Sequence, residues 1–125
     1  MNNKVLGNNF EKEMAQKLKD YGYWVLLVTP KSYTNSQPMD IVAAKNNTMF
    51  CFECKTLHSK NKKFNLNRLE ENQRLSWKIL QKTGNQNYFL AVKWNDSEIY
   101  IIPFKEINFT SKYIELIDKY KIKEE

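Results

Sequence analysis

The chain has 125 residues, 42% hydrophobic and 14% aromatic, with a net charge of +6. Such a size and composition support a packed core and exclude a disordered chain, and the longest uncharged apolar run, 21–28, is far too short to cross a bilayer. Met1-Asn2-Asn3-Lys4 leads straight into a polar segment without a signal-peptide apolar core, so one cytoplasmic domain spanning 1–125 is expected.

Asn8 or Asn9 is expected to cap a first helix running to about Tyr21, with Phe10, Met14, Leu18 and Tyr21 on one stripe and Gly22 ending it. Tyr23 to Val28 is apolar throughout and reads as a strand buried on both faces. A polar loop from Thr29 to Pro38 follows. Two apolar strands then flank Asn46-Asn47, a dipeptide that tolerates the positive φ angles of a type I′ hairpin. Residues 56–65 read as a polar, basic loop. A long helix is expected from about Leu66 to Lys82, with Leu69, Gln73, Trp77 and Leu80 inward and Gly84 closing it. Tyr88–Trp94 and Glu98–Ile102 form two strands about an Asn95-Asp96-Ser97 turn, and a final helix is expected over about Ser111 to Ile122 through Ile114, Ile117 and Tyr120. The order is α-β-β-β-α-β-β-α, an α/β fold with a mixed sheet of about five strands flanked by helices.

Charge is unevenly distributed. Lys55, Lys60, Lys62, Lys63, Arg68, Arg74, Lys78 and Lys82, set against Glu70 and Glu71, account for the whole excess of +6. Concentration of this kind suits a phosphate-backbone partner; a basic, solvated surface without a ligand is the alternative. Cys51 and Cys54 form a Cys-x-x-Cys pair, but positions i and i+3 of a strand point to opposite faces and the chain holds a single histidine, His58. Packing is therefore expected of both sulfurs rather than metal or redox chemistry.

The hairpin carries the sharper signal. With Asn46-Asn47 as its loop, Lys45 pairs with Thr48, and counting outward sets Asp40 opposite Glu53, with Lys55 on the same face as Glu53. Directly opposed like charges cost a few tenths to about 1 kcal/mol, and a divalent metal ion offsets that most simply. Two carboxylates can anchor Mg²⁺, which lowers the pKa of bound water and acts as a Lewis acid on a phosphodiester.

Gly7-Asn8-Asn9-Phe10-Glu11, Pro38-Met39-Asp40-Ile41-Val42-Ala43, Phe52-Glu53-Cys54-Lys55 and Glu70-Glu71-Asn72-Gln73 together resemble the motifs of the PD-(D/E)XK nuclease superfamily. Within it the chain is similar to Holliday junction resolvases of the archaeal and Gram-positive bacterial (phage) type, over roughly residues 7–107. The resemblance implies a restriction-endonuclease-like fold and a metal-dependent endodeoxyribonuclease that cleaves branched DNA by paired hydrolysis. A general duplex-cutting or nicking nuclease, or a non-catalytic nucleic-acid-binding module, are the alternatives.

The resemblance further implies Asp40, Glu53, Glu11 and the backbone carbonyl of Cys54 as ligands of Mg²⁺, for which Mn²⁺ substitutes. Lys55 would orient or deprotonate the attacking water or hold the scissile phosphate. Glu11 has a competing explanation as N3 of a capping box headed by Asn8. Gln73 interrupts an apolar stripe, so it is either an amide at the stripe's edge or a group beside the active site. Lys31, Ser32 and Tyr33 match a loop that reaches the scissile strand, and Lys60, Lys62, Lys63, Arg68 and Arg74 are candidates for backbone phosphates. DNA shape rather than base sequence would be read, at four-way or other branched junctions. A homodimer would present two equivalent sites, with Tyr88, Trp94 and Tyr113 as candidate interface aromatics. The small, compact organisation also suits a phage or mobile-element gene. Met39 separates Pro38 from Asp40, and the segment from Trp24 to Asp40 is too short for the protruding stalk of the bacterial resolvases.

Overall fold

A computed structural model describes residues 3–28 and 39–123. Helix α1 spans Asn3–Asp20, strand β1 Trp24–Leu27, β2 Ile41–Lys45, β3 Thr48–Leu57 and β4 Lys63–Asn65. Helix α2 spans Glu71–Lys82, followed by β5 Tyr88–Trp94, β6 Glu98–Pro103 and β7 Tyr113–Glu115. Five strands form one mixed sheet in the order β1-β2-β3-β5-β6, and β4 pairs with β7 in a separate ribbon. Strand β3 is central, antiparallel to β2 and parallel to β5. The fold is α/β with a mixed five-stranded sheet, as the sequence leads one to expect. Among the described residues no helix is long and apolar enough to cross a membrane.

Helix α1 begins at Asn3, not at Asn8 or Asn9, so 8–11 lie inside the helix and the capping-box explanation of Glu11 falls. Asn and Gly each cost at most about 1 kcal/mol relative to Ala inside a helix, too little to stop it there. Its C-terminus is a Schellman motif, with Tyr23 N–H donating to the Leu18 carbonyl (3.0 Å) and Gly22 N–H to that of Lys19 (2.9 Å). Gly22 takes φ +89°, as that position requires. Tyr21 lies beyond the helix and is exposed, not on its inner stripe.

The hairpin forms as its turn chemistry dictates. Asn46 and Asn47 have φ of 53° and 63°, and the register runs from Lys45↔Thr48 to Ile41↔Phe52. Strand β1, expected to be buried on both faces, is instead the sheet edge. Trp24 and Leu26 are 60% and 50% exposed, because α1 covers only the face that carries Val25.

Residues 66–82 are not one helix. Asn65 caps a 3₁₀ turn at Leu66–Arg68 by accepting from Asn67 N–H, Leu69 and Glu70 are extended, and α2 starts at Glu71. This break lets both Leu66 and Leu69 reach the core. The expected C-terminal helix is absent as well. Tyr113–Glu115 is β7, Asp118–Tyr120 a 3₁₀ turn, and Lys121 bridges to Tyr100. The three-residue spacing of Ile114, Ile117 and Tyr120 fits a strand followed by a bend, and the free ladder of β4 decides in favour of the strand.

Two cores lie on the two faces of the sheet. Phe10, Met14 and Leu18 of α1 pack on Ile41, Phe52 and Cys54 on one side. Trp77 of α2 packs with Tyr88, Phe104 and Phe64 on the other, where the Tyr88 and Phe104 rings meet edge-on at 4.5 Å. Tyr88 is fully buried there and contributes to no interface, contrary to expectation, because it faces α2 rather than solvent.

Candidate active site

Asp40 immediately precedes β2; the ladder ends at Ile41↔Phe52, and Asp40 N–H also donates to the Phe52 carbonyl (2.9 Å), one residue out of the hairpin register, which still leaves Asp40 next to the Glu53–Cys54 stretch of β3. Cys54 N–H donates to Asp40 Oδ2 at 2.7 Å in a buried contact. A strand residue points its N–H and C=O to the same side, so the Cys54 carbonyl also looks toward Asp40. Beyond Phe52, β3 has no β2 partner, and residues 53–57 are laddered only to β5. The sheet therefore forks at the two carboxylates.

Glu53 is 2% exposed and points to the α2 side. Its Oε1 accepts from Gln73 Nε2 at 2.7 Å and lies 3.6 Å from Lys55 Nζ. Gln73 Oε1 in turn accepts from Glu70 N–H at 2.9 Å, so the amide is oriented at both ends. The buried Gln73 is thus the link between the start of α2 and Glu53, not an amide at the edge of an apolar stripe. Glu53 Oε2 is buried without a hydrogen-bond partner among the described residues. Such an atom is expensive, since an unpaired buried carboxylate oxygen forfeits its hydration.

The electrostatics carry the same mark. Burial first, then the charge of Asp40, pushes the Glu53 carboxyl up to about 10, against the opposing pull of Lys55. Burial and Asp40 push Glu11 up to about 7. Helix α1 thus delivers Glu11 from the opposite layer to the same two strands, and three carboxyl groups feel one another with a single lysine among them.

Among the described residues no three histidine, cysteine or acidic side chains close into a metal cage. Two buried carboxylates, an orphaned oxygen and a facing carbonyl suit a hard cation that keeps much of its water, as Mg²⁺ does. Softer chemistry is disfavoured. Cys51 and Cys54 are free, buried on opposite faces, and their thiols are pushed upward by burial, Cys51 to about 11.

The expected nucleic-acid contacts divide. Lys31, Ser32 and Tyr33 lie outside the described residues. Lys60, Lys63 and Arg68 are exposed, Arg68 with its guanidinium over Phe64 at 5.1 Å. Lys62 and Arg74 serve the protein's own structure. Lys62 pairs with Glu98 at 2.9 Å and sits over Trp94, and Arg74 donates to the Leu66 carbonyl and packs on Phe109. These two internal roles have no signature in the sequence, because Glu98 and Phe109 arrive from distant segments.

The family model for archaeal Holliday junction resolvases (Hjc) matches residues 2–124. The crossover junction endodeoxyribonuclease Hjc of Methanocaldococcus jannaschii is 30% identical over 98 residues, covering 78% of this chain and 66% of that protein. The match thus spans just under two thirds of that relative's length. The solved structure of Hjc from Archaeoglobus fulgidus, a Holliday junction resolvase from a hyperthermophile, superposes with a TM-score of 0.63 at 18% identity, over 90% of this chain and 87% of that one. That likeness is one of fold.

Proposed function

The chain belongs to the archaeal Holliday junction resolvase (Hjc) family, and from that membership we propose that it is a metal-dependent endodeoxyribonuclease that resolves four-way DNA junctions by paired phosphodiester hydrolysis. The observation that carries this reading is the orphaned Glu53 Oε2, buried beside Asp40 in a cluster of mutually repelling carboxyl groups. A fold without a cation to bind gains nothing from that arrangement.

Asp40 and Glu53 are the anchors for Mg²⁺, with the Cys54 carbonyl and Glu11 adding oxygens, and Mn²⁺ substitutes on the same donors. When bound there, the ion supplies Lewis-acid stabilisation of phosphoryl charge and acidifies water in its shell. The side chains do the rest. Gln73 holds Glu53 in one orientation through Oε1, which leaves Oε2 directed to the site. Lys55 brings its ammonium to the same carboxylate, where it would orient or deprotonate the attacking water or hold the scissile phosphate. The exposed Lys60, Lys63 and Arg68 contact backbone phosphates. Two symmetric nicks need two sites of matching polarity, which a two-fold homodimer supplies.

The test is cleavage of a labelled immobile four-way junction beside matched linear duplex and single strand, in Mg²⁺ or EDTA, with Glu53→Ala alongside. Paired nicks in the junction alone, lost in EDTA and in the variant, are the expected result. Equal cutting of linear duplex makes the chain a general nuclease, and binding without cutting makes it a non-catalytic module.

A further inference from the structure

The β4–β7 ribbon has no counterpart in the sequence pattern, yet it adjoins the site. Strand β4 lies on the crossover between Lys55 and Gln73, and Lys112 C=O accepts from Leu66 N–H (3.0 Å) where that crossover turns toward α2. The ribbon has two distinct faces. Phe64 and Ile114, opposite one another, pack into the α2-side core. The alternate positions Lys63, Asn65, Tyr113 and Glu115 therefore point outward, with Asn65 across from Tyr113 and Lys63 across from Glu115.

Tyr113 is 43% exposed, and Lys112 Nζ lies 5.4 Å from its ring centroid. Lys63, also exposed, lies on the same face of the ribbon; among the described residues, neither it nor Lys112 has a carboxylate within ion-pairing distance, and Glu115 is the one acid on the ribbon face. An aromatic ring rimmed by uncompensated cations is the arrangement that binds a strand by stacking a base while phosphates meet the rim. A continuous duplex stacks both faces of every base pair, whereas a base pair at the point where the arms of an opened junction diverge loses a stacking neighbour on one face.

Building on the nuclease reading above, we propose that the outer face of the β4–β7 ribbon is a second DNA-contact surface, in which Tyr113 stacks on an unstacked base at the branch point and Lys112 and Lys63 meet the flanking phosphates. The C-terminal strand then contributes to choice of branched over linear DNA without touching the carboxylates. The ribbon is charge-complementary to a phosphate backbone, and its aromatic platform is sequence-tolerant.

The experiment measures binding of the full chain, in Ca²⁺ to block cutting, to an immobile junction with 2-aminopurine at the branch point and to matched linear duplex. Tyr113→Ala is expected to weaken junction binding about tenfold and leave duplex binding unchanged, with Tyr113→Phe retaining wild-type affinity. Lys112→Gln is expected to reduce the slope of log affinity against log salt by about one. Wild-type binding should change the 2-aminopurine emission, a readout that needs no variant and is independent of whether Tyr113→Ala folds. Wild-type affinity in Tyr113→Ala, equal loss on linear duplex, loss in Tyr113→Phe as large as in the alanine variant, or unchanged emission on wild-type binding overturns the proposal while junction binding itself stands. Failure of the wild type to bind any DNA overturns the nuclease reading, and this one with it.

Discussion

Gln73 and Glu53 are joined by a buried 2.7 Å hydrogen bond that ties the first turn of α2 to the central strand of the sheet. The amide accepts from the Glu70 N–H on one side and donates to the carboxylate on the other, so its flip state is fixed by two neighbours of opposite character.

Gln73→Ala is therefore expected to act on stability and on metal binding together. It strands Glu53 Oε1 and the Glu70 N–H, at a cost of about 1–3 kcal/mol in urea unfolding. Mn²⁺ affinity should fall by about 10–100-fold. A variant that loses stability but titrates Mn²⁺ as wild type does would mean that Gln73 only caps α2.

Glu53→Gln should separate stability from activity. The amide mimics the protonated carboxyl that burial and the Asp40 charge favour, keeps the side chain's shape, and cannot ionise. In EDTA the variant should melt at or above the wild-type temperature, and its junction cleavage should be undetectable. A marked loss of thermal stability would show that the carboxylate, not its neighbours, holds this part of the sheet together.

The pH dependence of the metal-free protein follows from the raised carboxyls. Glu11 at about 7 and Glu53 at about 10 both lie above their ordinary 4.5. Between the unfolded and folded values the folded state binds protons that the unfolded state has released, so stability falls as pH rises from about 4.5 toward 7 and on toward 10. Mg²⁺ favours the ionised groups, so its stabilising shift in melting temperature should grow over the same range. Melts in EDTA and in Mg²⁺ across that window test both slopes, and a metal shift independent of pH would place the ion elsewhere.

Glu98 sets an opposite pH trend at low pH. Hydrogen bonds from Lys121, Lys62 and Tyr100 hold its carboxyl down at about 2. A depressed carboxyl stabilises the fold above its unfolded value of 4.5 and loses that contribution as pH falls toward 2. Because Glu98 joins Lys62, after β3, to Lys121, after β7, acidification or Glu98→Gln should loosen the C-terminal segment first. Amide exchange at Leu116 and Ile122, whose N–H groups bond to Lys62 and Ile99 carbonyls, would report it.

What the sequence disclosed was local. A two-residue Asn-Asn turn fixes a hairpin register by itself, and that register runs as far as Ile41↔Phe52; Asp40 then bonds Phe52 one residue out of step instead of pairing squarely with Glu53, a local shift that counting outward from the turn does not reveal. Gln73 was legible as an anomaly in an apolar stripe, but its link to Glu53 depends on how the crossover packs. The pairing of β4 with β7 was not legible, because three-residue strands carry almost no periodic signal and their partners lie far apart in the chain. Nor was the exposure of β1, since Trp24-Val25-Leu26-Leu27 reads the same whether a layer covers it or not.

The two hairpins differ from the seam that joins them in how they come together during folding. Asp40, Glu53 and Lys55 close through a short local loop, but β3 meets β5 only after the whole β4–α2 crossover has been looped out. Loop closure of that span is the slow, entropically costly event, and it is the one that delivers Gln73. On that order the acidic pair is expected to assemble before its hydrogen-bond donor arrives. A divalent cation present during refolding relieves the repulsion in that interval, so it should raise the folding rate and not merely slow unfolding.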